Sequence, residues 1–95
     1  MIEYKFNEKE LIDEIRGYID QTYSAHYSNG RIQSTEFIED SGHGIGFTVG
    51  NILKYAQRYG KKGSSADHRK DLLKVVHYGI IALAMHDRKN DGKSL

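Results

Sequence analysis

The stretch SADHRKDLLKVVHYGIIALAMHDRK, residues 65–89, decides the fold of this chain. Leu72, Leu73, Val76, Ile80, Leu83 and Ala84 return every three or four residues, the period of an α-helix with one apolar stripe. Ser65 is a reasonable N-cap, and Asp67 in the first turn suits the positive end of the helix dipole. The reading is a long helix running to about Lys89, with that stripe packed at the centre of the fold.

Upstream, Phe47, Ile52, Tyr55, Ala56 and Tyr59 predict a second major helix from about 46 to 59, closed by Gly60. Gly46 and Gly50 lie four apart, which would let another helix cross closely. Lys61 to Ser65 joins the two helices as a loop. Further back, Leu11, Ile12, Ile15, Tyr18 and Ile19 predict a helix over about 8–23, with Asn7 and Glu10 as a capping box. Gly17 inside it suggests a close contact. Met1 to Phe6 alternates Ile2, Tyr4 and Phe6 with Glu3 and Lys5, the pattern of a short extended arm. Residues 24–34 read as a loop around Ser28, Asn29 and Gly30, and Thr35 to Asp40 as a short helix turning Phe37 and Ile38 inward. The tail Asn90 to Leu95 should fray. The expectation is a single, mainly α domain over 1–95, with three to four helices and an N-terminal arm.

The chain has 95 residues, no cysteine and no proline. A domain of this size buries only about 60–65% of its unfolded surface, and no disulfide is available to strengthen it. Oligomerisation is then the usual remedy, and seven tyrosines and three phenylalanines are apolar material for a shared surface. No signal peptide and no membrane-length apolar run are visible, so the expected location is cytoplasmic.

A formal charge of +1 conceals an asymmetry. Residues 1–40 hold nine acids against four basic residues, whereas 54–74 hold seven basic residues against two acids. A local positive field without a large net charge favours a small anionic ligand over long nucleic acid.

The residues that carry this field sit on one helix. Asn51, Lys54 and Arg58 fall at i, i+3 and i+7, with Gln57 and Lys61 extending the polar edge. Arginine grips phosphate bidentately, lysine adds a mobile charge, and an asparagine amide donates to phosphate or to a base edge. A solvated helix face is the alternative. Tyr55 and Tyr59 serve core packing, a subunit contact, or stacking on a nucleobase. Ser41-Gly42-His43-Gly44-Ile45-Gly46 is dense in glycine, as where backbone N–H groups approach a ligand or a chain turns a corner. His43 is a candidate phosphate donor or proton carrier, or else a buried hydrogen-bonding residue. Lys74, three residues after Asp71, is either half of a surface pair or a further cation for the same site. The histidines form no metal set. Glu36, Glu39, Asp67 and Asp71 would gather Mg2+ only if the fold brought them together.

Gly50-Asn51-Ile52-x-Lys54-Tyr55-x-x-Arg58, then Lys61, Gly63, Asp71-Leu72-x-Lys74 and Tyr78, resembles the core motif of a family of small tailed-phage proteins described as nucleotide-kinase-like or uncharacterised. The resemblance covers residues 42–87. It implies nucleotide-phosphate ligands at Asn51, Lys54, Arg58 and Lys74, and a homo-oligomer, since one member is held to be an oligomeric nucleoside monophosphate kinase without a P-loop. A thematic similarity links the chain to small phage proteins that sequester nucleotide signals of bacterial immunity. The expected function is binding, and sequestration, of a small phosphorylated nucleotide in the cytoplasm of an infected host. The expected site comprises His43, Gly44, Asn51, Lys54, Tyr55, Arg58, Lys61 and Lys74, without a resident metal. The alternative is a nucleotide-transforming enzyme, a monophosphate kinase or cyclic-nucleotide phosphodiesterase, to which Mg2+ would belong. A macromolecular docking patch is the third reading.

Overall fold

The computed structural model describes residues 1–27 and 31–90. Four helices follow the arm: α1 (Glu8–Tyr27), α2 (Arg31–Asp40), α3 (Gly44–Arg58) and α4 (Ser65–Asn90). No strand occurs among the described residues. Of the loop expected over 24–34, residues 24–27 and 31–34 are helical and Ser28 to Gly30 lie outside the described residues; of the tail expected to fray, Asn90 ends α4 and 91–95 lie outside them. The first two helices are each longer than their apolar patterns predict, α1 at its C-terminal end and α2 at its N-terminal end. α3 begins at Gly44, two residues before the predicted start, so Gly44 of the glycine-dense stretch belongs to the helix. The turn itself falls to Gly42, whose φ of +88 lies in the left-handed region.

The helix boundaries have local causes. Ser64 rather than Ser65 caps α4, because only Ser64 stands three residues before Asp67. The Asp67 carboxylate accepts from the Ser64 N–H at 2.9 Å and from its hydroxyl at 3.1 Å, while the Asp67 N–H donates to the Ser64 oxygen at 3.3 Å. This reciprocal box satisfies two donors that the first turn would leave unpaired. Gly63, just before it, combines φ +89 with an Asp67 oxygen 2.7 Å from where a Cβ would sit. At the start of α1 it is Glu8 that turns back, accepting from the Phe6 N–H at 2.9 Å.

α3 and α4 form an antiparallel hairpin, with Gly44 beside Met85 at one end and Arg58 beside Asp71 at the other. α4 is the hub. One arginine–carboxylate pair ties it to each of the other helices: Arg58 to Asp71 for α3, Arg69 to Glu14 for α1 and Arg88 to Glu39 for α2. Close helix packing occurs at Gly44, where a Cβ would lie 2.8 Å from Met85 Sδ and 3.1 Å from Glu39 Cα. At Gly17, Gly46 and Gly50 a Cβ would meet nothing within 4 Å, so the crossings expected there are absent from the described residues.

The core is thin and lies elsewhere than the apolar pattern predicts. Ile15 and Met85 are the buried hydrophobic side chains, accompanied by Thr48, Asp71 and His77. The α4 residues expected at the centre, Leu72, Val76, Ile80 and Leu83, are exposed, and so is Phe37 of α2. α4 turns a different face inward, carrying Asp71, His77 and Met85. Thr48 is accommodated because its hydroxyl donates to helix carbonyls, with the Gly44 and Ile45 oxygens each at 3.0 Å.

Replacing Ser64 with alanine should cost about 1 kcal/mol, the usual worth of an N-cap. Gly63→Ala should cost about 1–2 kcal/mol for the left-handed backbone alone. Thermal denaturation followed by circular dichroism should show both as lowered Tm, with Gly63→Ala the larger drop. Equal and negligible shifts would contradict the capping assignment.

Candidate functional site

Tyr55, in the last turn of α3, is the pivot of the site. Its ring lies nearly parallel to that of Tyr78 on α4, with 6.0 Å between centroids and 14° between planes. Phe47 meets Tyr78 edge-on at 6.1 Å, and His77 packs edge-on against Tyr18 of α1 at 6.0 Å. These are favoured aromatic geometries, and they bring α1, α3 and α4 to one place.

Three cations surround the same tyrosine. The Arg58 and Lys74 charges each lie 4.8 Å from the Tyr55 centroid, and Lys54 Nζ lies 5.2 Å away. All are within the reach of cation–π attraction. One carboxylate offsets them. Arg58 donates Nη2–H to Asp71 Oδ1 at 2.6 Å and Nε–H to Oδ1 and Oδ2 at 3.2 and 3.4 Å. The Asp71 side chain is 4% exposed and that of Arg58 39%. Hydrogen bonding from Arg58 holds the Asp71 carboxyl below its ordinary range, against the opposing effect of burial, with the charges of Arg58 and Lys74 assisting. The ion pairs among the described residues all use arginine. Among the described residues no carboxylate lies within ion-pair distance of Lys54, Lys70 or Lys74, although Asp71 acts on Lys74 and Asp67 on Lys70 at longer range.

Beside this cluster a groove of about 440 Å³ runs between α1 and α3. Tyr18, Gln21 and Thr22 form one wall, Tyr55 forms the other, and Lys70, Lys74, His77 and Tyr78 lie along the floor. Its size falls within the roughly 300–1,000 Å³ typical of small-molecule sites. The Tyr18 phenol is pushed above its ordinary value chiefly by burial and stays neutral at physiological pH. A second groove of about 480 Å³, between α1 and α2, shares Thr35, His77 and Ile81 with the first. Its lining is more aliphatic, and its arginine, Arg88, is already held by Glu39 at 2.6 Å.

The eight residues singled out from the sequence are distributed as follows. Tyr55 and Lys74 line the first groove, and Lys54 and Arg58 flank it against the Tyr55 ring. Asn51 is half-buried and its amide donates to the Phe47 carbonyl at 2.9 Å on its own helix. Lys61 is exposed and donates to Gln57 at 3.1 Å. His43 stands at the N-cap of α3 and Gly44 begins that helix. Fifteen residues at 1.5 Å rise put them about 22 Å from Arg58. Gly44 serves packing at that end. The four carboxylates considered for Mg2+ do not gather: Asp71 holds Arg58, Glu39 holds Arg88, Asp67 caps α4 and Glu36 lines the second groove. Among the described residues no group of three or more His, Asp or Glu side chains is arranged to hold a metal ion.

The sequence reading omitted Lys70, His77 and the α1 wall. Lys70, Lys74, His77 and Ile81 follow the helical i, i+4, i+7, i+11 rhythm, a polar stripe hidden beside the more conspicuous leucines. Tyr18 read only as part of the apolar face of α1, and Gln21 and Thr22 lacked any local signal, because their role arises from α1 packing against α4.

Asp71 supplies a pH signature. A depressed folded pKa means that the pair's stabilisation is complete at neutral pH, above the unfolded carboxylate value of about 3.9, and is lost as pH falls through the lower folded value. Urea denaturation between about pH 7 and pH 2 should show stability declining on the acid side, with Asp71→Asn less stable at neutral pH and its acid decline shallower. An unchanged acid profile in Asp71→Asn would contradict the role assigned to the pair.

Residues 21–79 match the model of DUF3310, a family described as proteins of unknown function. No curated protein and no solved structure matches the chain. No helix of the described residues is long and apolar enough to cross a membrane.

Proposed function

This chain belongs to the DUF3310 family, and from that starting point we propose that it is a homo-oligomeric phage protein that binds a small phosphorylated nucleotide in the groove between α1 and α3. One observation carries the reading: three cations ring Tyr55, a fourth, Lys70, lines the adjoining groove, and a single buried carboxylate, Asp71, answers them. Like charges gathered at this density repel, and a bound anion relieves the repulsion. Lys70 and Lys74 are one helical turn apart and can share a phosphate group. The aromatic walls, Tyr18 and Tyr55, present ring surface for a base, a combination that favours a nucleotide over inorganic phosphate.

The groove lining includes no carboxylate to carry a metal–nucleotide complex, which favours retention of the ligand over phosphoryl transfer. It consists of ammonium groups, phenols, hydroxyls, an amide and apolar carbon, with His77 as its one imidazole. Such groups hold phosphate and base. In the cytoplasm of an infected bacterium, a protein of this kind would withdraw a nucleotide signal of host immunity from circulation.

Isothermal titration with nucleoside mono- and diphosphates and with cyclic dinucleotides should reveal a binder at low salt. Lys74→Ala and Tyr55→Ala should each weaken it by on the order of tenfold or more, the worth of a charge-assisted hydrogen bond or a base stack. Ligand recovered after denaturing the complex should have its original mass. Altered nucleotide would favour the transforming-enzyme alternative, with Mg2+ dependence as its mark. Absence of binding across the panel would defeat the proposal.

A further inference from the structure

We propose that the second groove is a subsite for a further nucleobase, so that a single dinucleoside phosphate spans both grooves with its phosphate at Lys70 and Lys74; the inference rests on the nucleotide reading and specifies the ligand. The two grooves adjoin. Thr35 of α2 and His77 and Ile81 of α4 line both of them. Along α4 the floor runs Lys70, Lys74, His77, Ile81, Ala84 and Arg88, in steps of three or four residues that keep it on one side of the helix. The result is one trough that begins at two lysines and ends in aliphatic carbon.

Dimensions call for a ligand with two rings. The first groove holds about 440 Å³ and the second about 480 Å³, and each alone is of the size of a small-molecule site. A base stacked on Tyr55 has its phosphate close by, because Lys74 Nζ stands 4.8 Å from the centre of that ring. Such a mononucleotide leaves the second groove unfilled. From Lys74 to Ile81, seven residues at 1.5 Å rise cover about 10 Å, a span that a nucleoside bonded to the same phosphate can bridge. Its base then meets Ile80 and Tyr23, which line the second groove yet are 43% and 51% exposed. A planar ring covers that apolar carbon.

Charge orients the ligand. The lining of the first groove has Lys70 and Lys74 and no carboxylate, whereas that of the second has Glu36 and Glu39 against Arg88, which Glu39 already holds at 2.6 Å. Phosphate is therefore drawn to the first groove and repelled from the second, and the group that enters the second is uncharged. Glu36 makes no hydrogen bond or ion pair among the described residues and is the acceptor left for that group. An ionised carboxylate only accepts, so it favours a base with an exocyclic amino group. A uracil edge flanks its one N–H with carbonyl oxygens and fits poorly.

The test is calorimetric titration of the whole chain at low salt with adenosine monophosphate, linear adenylyl-adenosine, cyclic diadenylate and uridylyl-uridine. At least one adenine dinucleotide, linear or cyclic, should bind on the order of tenfold more tightly than the monophosphate, the worth of a further base contact, with one ligand per protomer. Uridylyl-uridine should bind more weakly than adenylyl-adenosine. Ala84→Phe fills the second groove from an exposed position of α4 and should erase the dinucleotide's advantage while the monophosphate binds as before, which also reports an intact fold. Glu36→Gln should narrow the preference for adenine over uracil. Should Ala84→Phe unfold, Glu36→Gln, at another exposed position, decides. Monophosphate bound as tightly as every dinucleotide, or two monophosphates bound per protomer, would overturn the shared ligand and leave the nucleotide reading standing. No binding by any of the four would defeat both.

Discussion

Arg58 and Asp71 set the arrangement on which the rest of the structure depends. A carboxylate buried to this degree requires a partner of opposite charge and saturated hydrogen bonding, because removal from water is otherwise too costly. Arg58 meets that need with a forked contact of fixed geometry, which leaves little freedom for α3 to slide along α4. With that register, Tyr55 comes beside Tyr78 and Lys74, and Phe47 meets the other edge of Tyr78. The pair also neutralises the one carboxylate of the cluster. The lysines around it form no short-range ion pair among the described residues.

Stability and site are therefore coupled through a single contact. Arg58 stands 4.8 Å from the Tyr55 ring and holds Asp71 at the same time, so a ligand drawing on its charge competes with the hairpin's own ion pair. The mobile lysines are better suited to an incoming phosphate, since they can adjust without loosening α3 from α4.

Much of the local structure was legible in the residue pattern. The mainly α class, the α3 and α4 helices, the Gly60 stop and the role of Asp67 in a first turn follow from short-range chemistry. Capping geometry and helical period act over three or four residues. The same rules put Lys54, Tyr55 and Arg58 within about one turn of each other, whereas Lys74 was grouped with them by the family resemblance and reaches Tyr55 through the packing of α4 on α3. They misplaced the core. The aliphatic stripe of α4 looked central from its composition, yet the face carrying Asp71 and His77 is the one turned inward.

What the sequence by itself determined is the set of helices and the pool of positive charge between residues 54 and 74. Both are encoded in nearest-neighbour preferences and in charge count. Only the tertiary structure decided which face of each helix is covered, that Tyr18, Gln21 and Thr22 wall a groove, and that His43 and Gly44 lie at the far end of α3 from the cations. The physical reason is that one helix carries several faces of comparable apolar content. The choice among them depends on how four helices share a small core, through contacts between residues far apart in the chain.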